Sequence, residues 1–222
     1  MLHLYALTEH PARLPASSSS ASPLKVVSTD EGVDAIVAPA DADTAAPTDA
    51  AILAHAQIVE AIAAVNDAVL PARFGHGYAD EDALVASIRE RRAQLVEALA
   101  RVRGCVEVGL RVFTDAAPAN EERRNGYTGR DYMLARLRQV ETAERTAREL
   151  HEAVAAAARD STYATLVTPQ LLLSAAYLLP GSEVTSFKAA VEAANSDYPD
   201  LTLVCTGPWP PYSFAVVDVP PS

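Results

Sequence analysis

The chain has 222 residues, of which half are hydrophobic and 21% are charged, and its formal net charge at pH 7 is −11. This composition supplies enough apolar side chains for one large domain or two small ones, and it excludes a globally disordered protein. The acidic charge argues against a nucleic-acid partner, because phosphate backbones are bound mainly by basic side chains.

The sequence shows no features of a membrane or secreted protein. The first ten residues, MLHLYALTEH, lack the basic and apolar regions of a signal peptide. The apolar run PQLLLSAAYLLPG is too short for a membrane span, which needs about 20 residues. Cys105 and Cys205 lie far apart without a CxxC pattern, so we expect two reduced cysteines. We therefore expect a soluble, cytoplasmic protein without a membrane partner.

The first part of the chain predicts strands followed by helices. Apolar β-forming runs predict strands over 2–7, 24–28 and 33–39. From Thr48, a good capping residue, apolar side chains at helical spacing predict a helix that ends before Pro71.

A second helix is predicted to begin at Asp80 or Glu81 and to end at Gly104. Next, the run CVEVGLRVF alternates between apolar and other residues, which predicts a strand with one buried face. A long helix is then predicted from Thr128 to about Asp160.

An apolar seam follows the long helix at intervals of three, four or seven residues. Its members are Met133, Leu137, Val140, Ala147, Leu150 and Val154. A seam this narrow suits packing on a sheet or against one partner helix.

The rest of the chain predicts a strand over 170–179, a short helix from Ser182, a strand over 201–206 and an extended tail. We therefore predict an α+β protein with two domains. Residues 1–103 would form a mixed α+β domain. Residues 104–222 would form a ferredoxin-like α/β sandwich that contains the long helix and the docked tail 207–222.

Motifs of catalysis or cofactor binding are missing from the sequence. The five histidines show no ligand spacing, and neither a GxSxG elbow nor a phosphate-binding glycine loop occurs. We therefore predict a protein that is not an enzyme, with no catalytic residues, cofactor or metal. The alternative is a small-molecule-binding domain or enzyme whose site lies near Arg73, His76, Arg130 and Asp131.

The segment GPWPPYSF, residues 207–214, concentrates prolines and aromatic residues near the end of the chain. It contains a PxxP pattern, but the flanking basic residue of SH3-type ligands is missing. Residues that precede proline are extended, so the segment is stiff and suits docking on its own protein. We expect Trp209 to be the buried anchor, with Tyr212, Phe214 and Val216 on one face of an extended chain.

Several of these stretches resemble the GvpF/GvpL family of gas vesicle proteins. LHLYAL and VLPARFG are similar to its opening and central elements, and VEVGLRVF, GRDYM and LLLSAAYLLP match later blocks in order. GPWPPYSF is similar to the family's closing signature. The sequence departs from the family at Ala6, where glycine is commoner, and at Met133, where leucine is commoner.

The resemblance implies a two-domain α+β fold and a minor structural or accessory role in gas vesicles, without catalytic residues. It also implies contacts with the small hydrophobic shell protein and with other accessory proteins. We expect the candidate interaction or tail-docking residues to be Trp209, Tyr212, Phe214, Arg73, Phe74, Arg130, Asp131 and Tyr132.

Overall fold

The computed structural model describes residues 1–16, 23–29, 32–40, 47–114, 129–165, 168 and 170–215. Contacts within the chain divide it into two compact units. The first unit contains residues 1–107 and the tail from Trp209, and the second contains residues 108–208. This division differs from our boundary at 103/104, and it groups Trp209 and the residues after it with the first unit. Among the described helices, none is long and apolar enough to cross a membrane.

The first unit is built on an antiparallel sheet with the strand order β2-β3-β1-β4, in which β5 also pairs with β1. Its strands are β1 (Leu2–Glu9), β2 (Lys25–Ser28), β3 (Val33–Pro39), β4 (Val69–Pro71) and β5 (Gly77–Tyr78). In β1 and β3 nearly every residue is buried. Both faces of the sheet are therefore covered, which explains why these strands read as continuous apolar runs.

Within the described residues, three helices accompany this sheet: α1 (Asp49–Ala63), α2 (Glu81–Glu90) and α3 (Arg92–Val102). Thr48 caps α1, because its side chain accepts a hydrogen bond from the amide of Ala51, and Asp80 caps α2 in the same way through Ala83. The predicted first helix was too long, since α1 ends at Ala63 and Val69 lies in β4.

The predicted second helix is interrupted at Arg91, which separates α2 from α3. The apolar face that we predicted for it is buried nevertheless. Its members are Leu84, Ile88, Leu95, Leu99 and Val102.

The second unit has the element order β-α-β-β-α-β. The elements are β6 (Cys105–Thr114), α4 (Gly129–Ala155), β7 (Asp160–Thr165), β8 (Leu171–Pro180), α5 (Val184–Asp197) and β9 (Leu201–Trp209). The first three residues of β6 and the last residue of β9, Trp209, belong to the first unit. The sheet order is β7-β8-β6-β9. The mixed α+β class is thus as predicted, and we retain the ferredoxin-like assignment as a proposal that rests on this element order.

The helices α4 and α5 pack against apolar side chains of the sheet. Val108, Leu110 and Val112 of β6 are fully buried, as the alternation predicted, and they share a core with side chains from α4, α5 and β8. Two sequence predictions were wrong here. The long helix ends at Ala155 rather than near Asp160, and the strand β7 that begins at Asp160 was missed.

Candidate interaction site

The GPWPPYSF segment ends as a tight turn rather than as the predicted extended chain. Residues Tyr212–Phe214 form a short 3₁₀ helix, in which the amide of Tyr212 donates to the carbonyl of Pro210 at 2.8 Å. The amide of Phe214 donates to the carbonyl of Pro211 at 3.1 Å. This turn points successive aromatic side chains in different directions. Val216 lies outside the described residues.

Glu107 of β6 holds the turn through both of its carboxylate oxygens. Oε2 accepts a hydrogen bond from the amide of Ser213 at 2.7 Å, and Oε1 accepts one from the Ser213 hydroxyl at 2.8 Å. Hydrogen bonds to a carboxylate are short and stronger than those between neutral groups. Glu107 therefore fixes the position of the segment within the first unit.

Phe214 is the aromatic side chain that anchors this segment. Its ring is only 3% exposed, and the guanidinium of Arg101 lies over it at 5.5 Å from the ring centroid. A cation in this position is attracted to the face of the ring. Pro210 and Pro211 are also buried. The segment is thus attached by its apolar side chains as well as by Glu107.

Tyr212 packs against the core that α1 forms with the sheet of the first unit. Burial, with a smaller contribution from the charge of Glu60, raises the pKa of Tyr212 to about 12. The phenol therefore stays protonated at neutral pH.

Our prediction that Trp209 is the buried anchor was wrong. Its side chain is 46% exposed, although the buried residues Pro210 and Pro211 follow directly. Trp209 is therefore presented to solvent at the start of a segment whose backbone is fixed.

The loop after β4 contains Arg73 and Phe74, two further predicted interaction residues. Arg73 is exposed, whereas Phe74 is half-buried with its ring near two buried histidines, His3 and His55, at centroid distances of 5.7 and 5.8 Å. His3 and His55 are both buried polar side chains.

Hydrogen bonds around the two histidines determine their tautomers. Nε2 of His55 lies 2.8 Å from the carbonyl of Ala72 and must donate to it. Its Nδ1, 2.8 Å from Nε2 of His3, must then accept, so His3 donates. Burial lowers the pKa of His55, in agreement with a neutral ring. This pair ties β1, α1 and the loop after β4 together.

The remaining predicted residues lie on other elements. His76 is in the first unit, with its ring 5.6 Å from that of Tyr78. Arg130 is exposed on α4 in the second unit, and the side chains of Asp131 and Tyr132 lie outside the described set. The alternative small-molecule site near Arg73, His76, Arg130 and Asp131 therefore stays a prediction. Among the described residues, His, Cys, Asp and Glu side chains nowhere gather in a group of three that could hold a metal.

Sequence reasoning missed the role of Glu107. Its place on the polar side of an alternating strand was visible, but its partner Ser213 is 106 residues further along the chain. A single sequence contains no signal for a contact over that separation.

Comparisons with known proteins support the family resemblance over nearly the whole chain. The protein-family model described as gas vesicle synthesis protein GvpL/GvpF matches residues 1–216. Gas vesicle protein F2 of Halobacterium salinarum is 28% identical over 81% of this chain and 75% of that protein. Gas vesicle protein L of a Streptomyces species is 29% identical over 73% of this chain and 67% of that protein.

Two crystal structures of GvpF share the fold. The structure from Anabaena sp. superposes with a TM-score of 0.81 at 18% identity and covers 98% of this chain and 97% of that one. The structure from Microcystis aeruginosa has a TM-score of 0.76 at 20% identity and covers 97% and 99%. Both confirm the mixed α+β architecture.

Proposed function

This chain belongs to the GvpL/GvpF family of gas vesicle proteins, and on that premise we propose that it acts without catalysis in assembly of the gas vesicle shell. It would bind the small hydrophobic shell protein and other accessory proteins, on or beside gas vesicles in the cytoplasm. The description of the family as one of gas vesicle synthesis supports an assembly role.

The need for such a protein follows from the chemistry of a shell that encloses gas. A subunit that forms the wall of a gas space must be strongly apolar on one side, and before assembly that side promotes aggregation. A carrier with a net charge of −11 keeps a bound subunit in solution, because like-charged complexes repel one another.

The observation that carries this proposal is the exposed ring of Trp209 on a fixed segment. Tryptophan contributes strongly to protein interfaces, where it fills an apolar pocket of the partner. Because buried prolines, Glu107 and Phe214 already hold the segment, binding through Trp209 orders few additional groups. We propose Trp209 as the main contact with the shell protein.

We propose Arg73 and Phe74 as further contacts on the first unit, since Arg73 is exposed and the ring of Phe74, the next residue, packs near His55. Arg130, Asp131 and Tyr132 are proposed as a separate contact on α4 for an accessory protein.

The test is co-purification of the shell protein with the full chain, comparing wild type with Trp209→Ala. Tyr163→Ala is the matched control, because Tyr163 is exposed to the same extent, 46%, in the second unit. We expect Trp209→Ala to reduce the recovered shell protein at least about tenfold, as for a central interface tryptophan, and the control to retain it. Equal recovery with Trp209→Ala, or none with wild type, would contradict the proposal.

A further inference from the structure

The two halves of α4 differ in how far their apolar side chains are buried. In the second half, Ala147, Leu150 and Val154 are buried in the core of the second unit. In the first half, Met133, Leu134 and Leu137 are 60%, 42% and 54% exposed. Three large apolar side chains within five residues form an exposed patch of the kind that marks an interaction surface.

The exposed residues at 130, 134, 137 and 141 are spaced as the inward positions of a coiled coil. Leu134 and Leu137 take positions a and d, Arg130 is the preceding d, and Glu141 is the following a. Both charged side chains are exposed on the same side of α4 as the two leucines. The patch therefore has an apolar centre, a basic end and an acidic end.

This arrangement is complementary to itself when two helices run in opposite directions. An antiparallel pair centred between residues 135 and 136 places Leu134 beside Leu137 of the second copy. The same register places Arg130 beside Glu141 of the second copy, and the twofold axis repeats both contacts. A parallel pair would instead bring Arg130 against Arg130 and Glu141 against Glu141, which is unfavourable.

We propose that residues 130–141 of α4 form a self-association surface, which binds the same surface of a second copy of this chain in antiparallel orientation. This goes beyond the proposed function, because the partner is a second copy of this chain rather than the shell protein or an accessory protein. Leu134 and Leu137 provide the apolar contact, and the two Arg130–Glu141 pairs select the orientation.

The length of the surface sets the strength of the dimer. Twelve helical residues span roughly 17 Å, so the contact is smaller than the interface of a stable dimer. The dimer is therefore weak in dilute solution and forms where copies of the protein are concentrated, as they would be when bound side by side.

The first experiment is sedimentation equilibrium of the full chain over a series of concentrations. Wild type should show a reversible monomer–dimer equilibrium. Arg130→Glu and Glu141→Arg should each weaken it by at least about tenfold, because each change converts both symmetric ion pairs into like-charge contacts. Arg148→Glu is the control, since it makes the same charge change on an exposed site of α4 outside the patch.

The single variants separate the orientations, because a parallel pair would have two like-charge contacts in wild type and in each single variant alike. Mixing the two weakened variants tests the charge pairing itself. An Arg130→Glu chain and a Glu141→Arg chain carry opposite charges at every contact of the antiparallel pair, so the mixture should dimerise as wild type does. The double variant Arg130→Glu/Glu141→Arg should also recover. A wild type that stays monomeric at all concentrations, single variants that dimerise normally, or a mixture that fails to dimerise would each overturn the proposal.

Discussion

Trp209 and Phe214 lie five residues apart in one segment, yet the protein uses their side chains in opposite ways. Phe214 is buried under Arg101, whereas nearly half of the Trp209 side chain is exposed. The two halves of α4 differ in the same way, with Leu150 buried and Leu137 exposed. Apolar character alone therefore does not separate the side chains that hold this fold together from those left available for a partner.

The largest difference in stability is expected between the variants Phe214→Ala and Trp209→Ala. Removing the buried ring of Phe214 leaves a cavity and should lower the free energy of unfolding by about 3–5 kcal/mol. Removing the exposed ring of Trp209 should lower it by less than about 1 kcal/mol. Urea denaturation of both variants measures the difference. Equal losses would show that Trp209 stabilises the fold after all.

A second pair tests the comparison within α4. Leu150→Ala removes a fully buried side chain of the second unit and should cost about 2–5 kcal/mol of unfolding free energy. Leu137→Ala, measured by urea denaturation at a concentration where the chain is monomeric, should cost less than about 0.5 kcal/mol. A large loss for Leu137→Ala would place that side chain in the core instead.

The strongly periodic parts of the fold could be predicted from sequence. The strands β1, β3 and β6 and the buried face of α2 and α3 follow from apolar runs or spacing, because burial imposes those patterns. The strand β7 could not be predicted in this way. Its sequence DSTYAT has few apolar residues and lies at the end of the sheet order, so burial imposes little pattern on it.

The candidate site was predicted only as a segment. The prolines and aromatic residues of GPWPPYSF identified the stretch, but which ring is buried depends on the 3₁₀ turn at Tyr212–Phe214. That turn depends in turn on Glu107 and Arg101, which contact it from more than a hundred residues earlier. Local propensity contains no information about such contacts.

A smaller effect, the pH dependence of stability, is expected from the buried polar side chain of His55. Burial lowers the pKa of His55 below its ordinary value of 6.5 in the folded protein. Above pH 6.5 the ring is neutral in both the folded and unfolded states, so its contribution to stability is constant. Below pH 6.5 the unfolded chain binds a proton that the folded chain resists, and stability falls until pH reaches the lowered pKa.

The fall attributable to His55 should not exceed about 1.4 kcal/mol per pH unit, the limit for a single proton. Urea denaturation between pH 7.5 and 5.5 measures it. His55→Gln should be less stable at pH 7.5, because the hydrogen bonds to His3 and Ala72 are disturbed, but its stability should depend less on pH. An unchanged pH dependence in His55→Gln would mean that the buried pair is not the group that resists protonation. His151→Gln would then test His151, whose pKa burial also lowers.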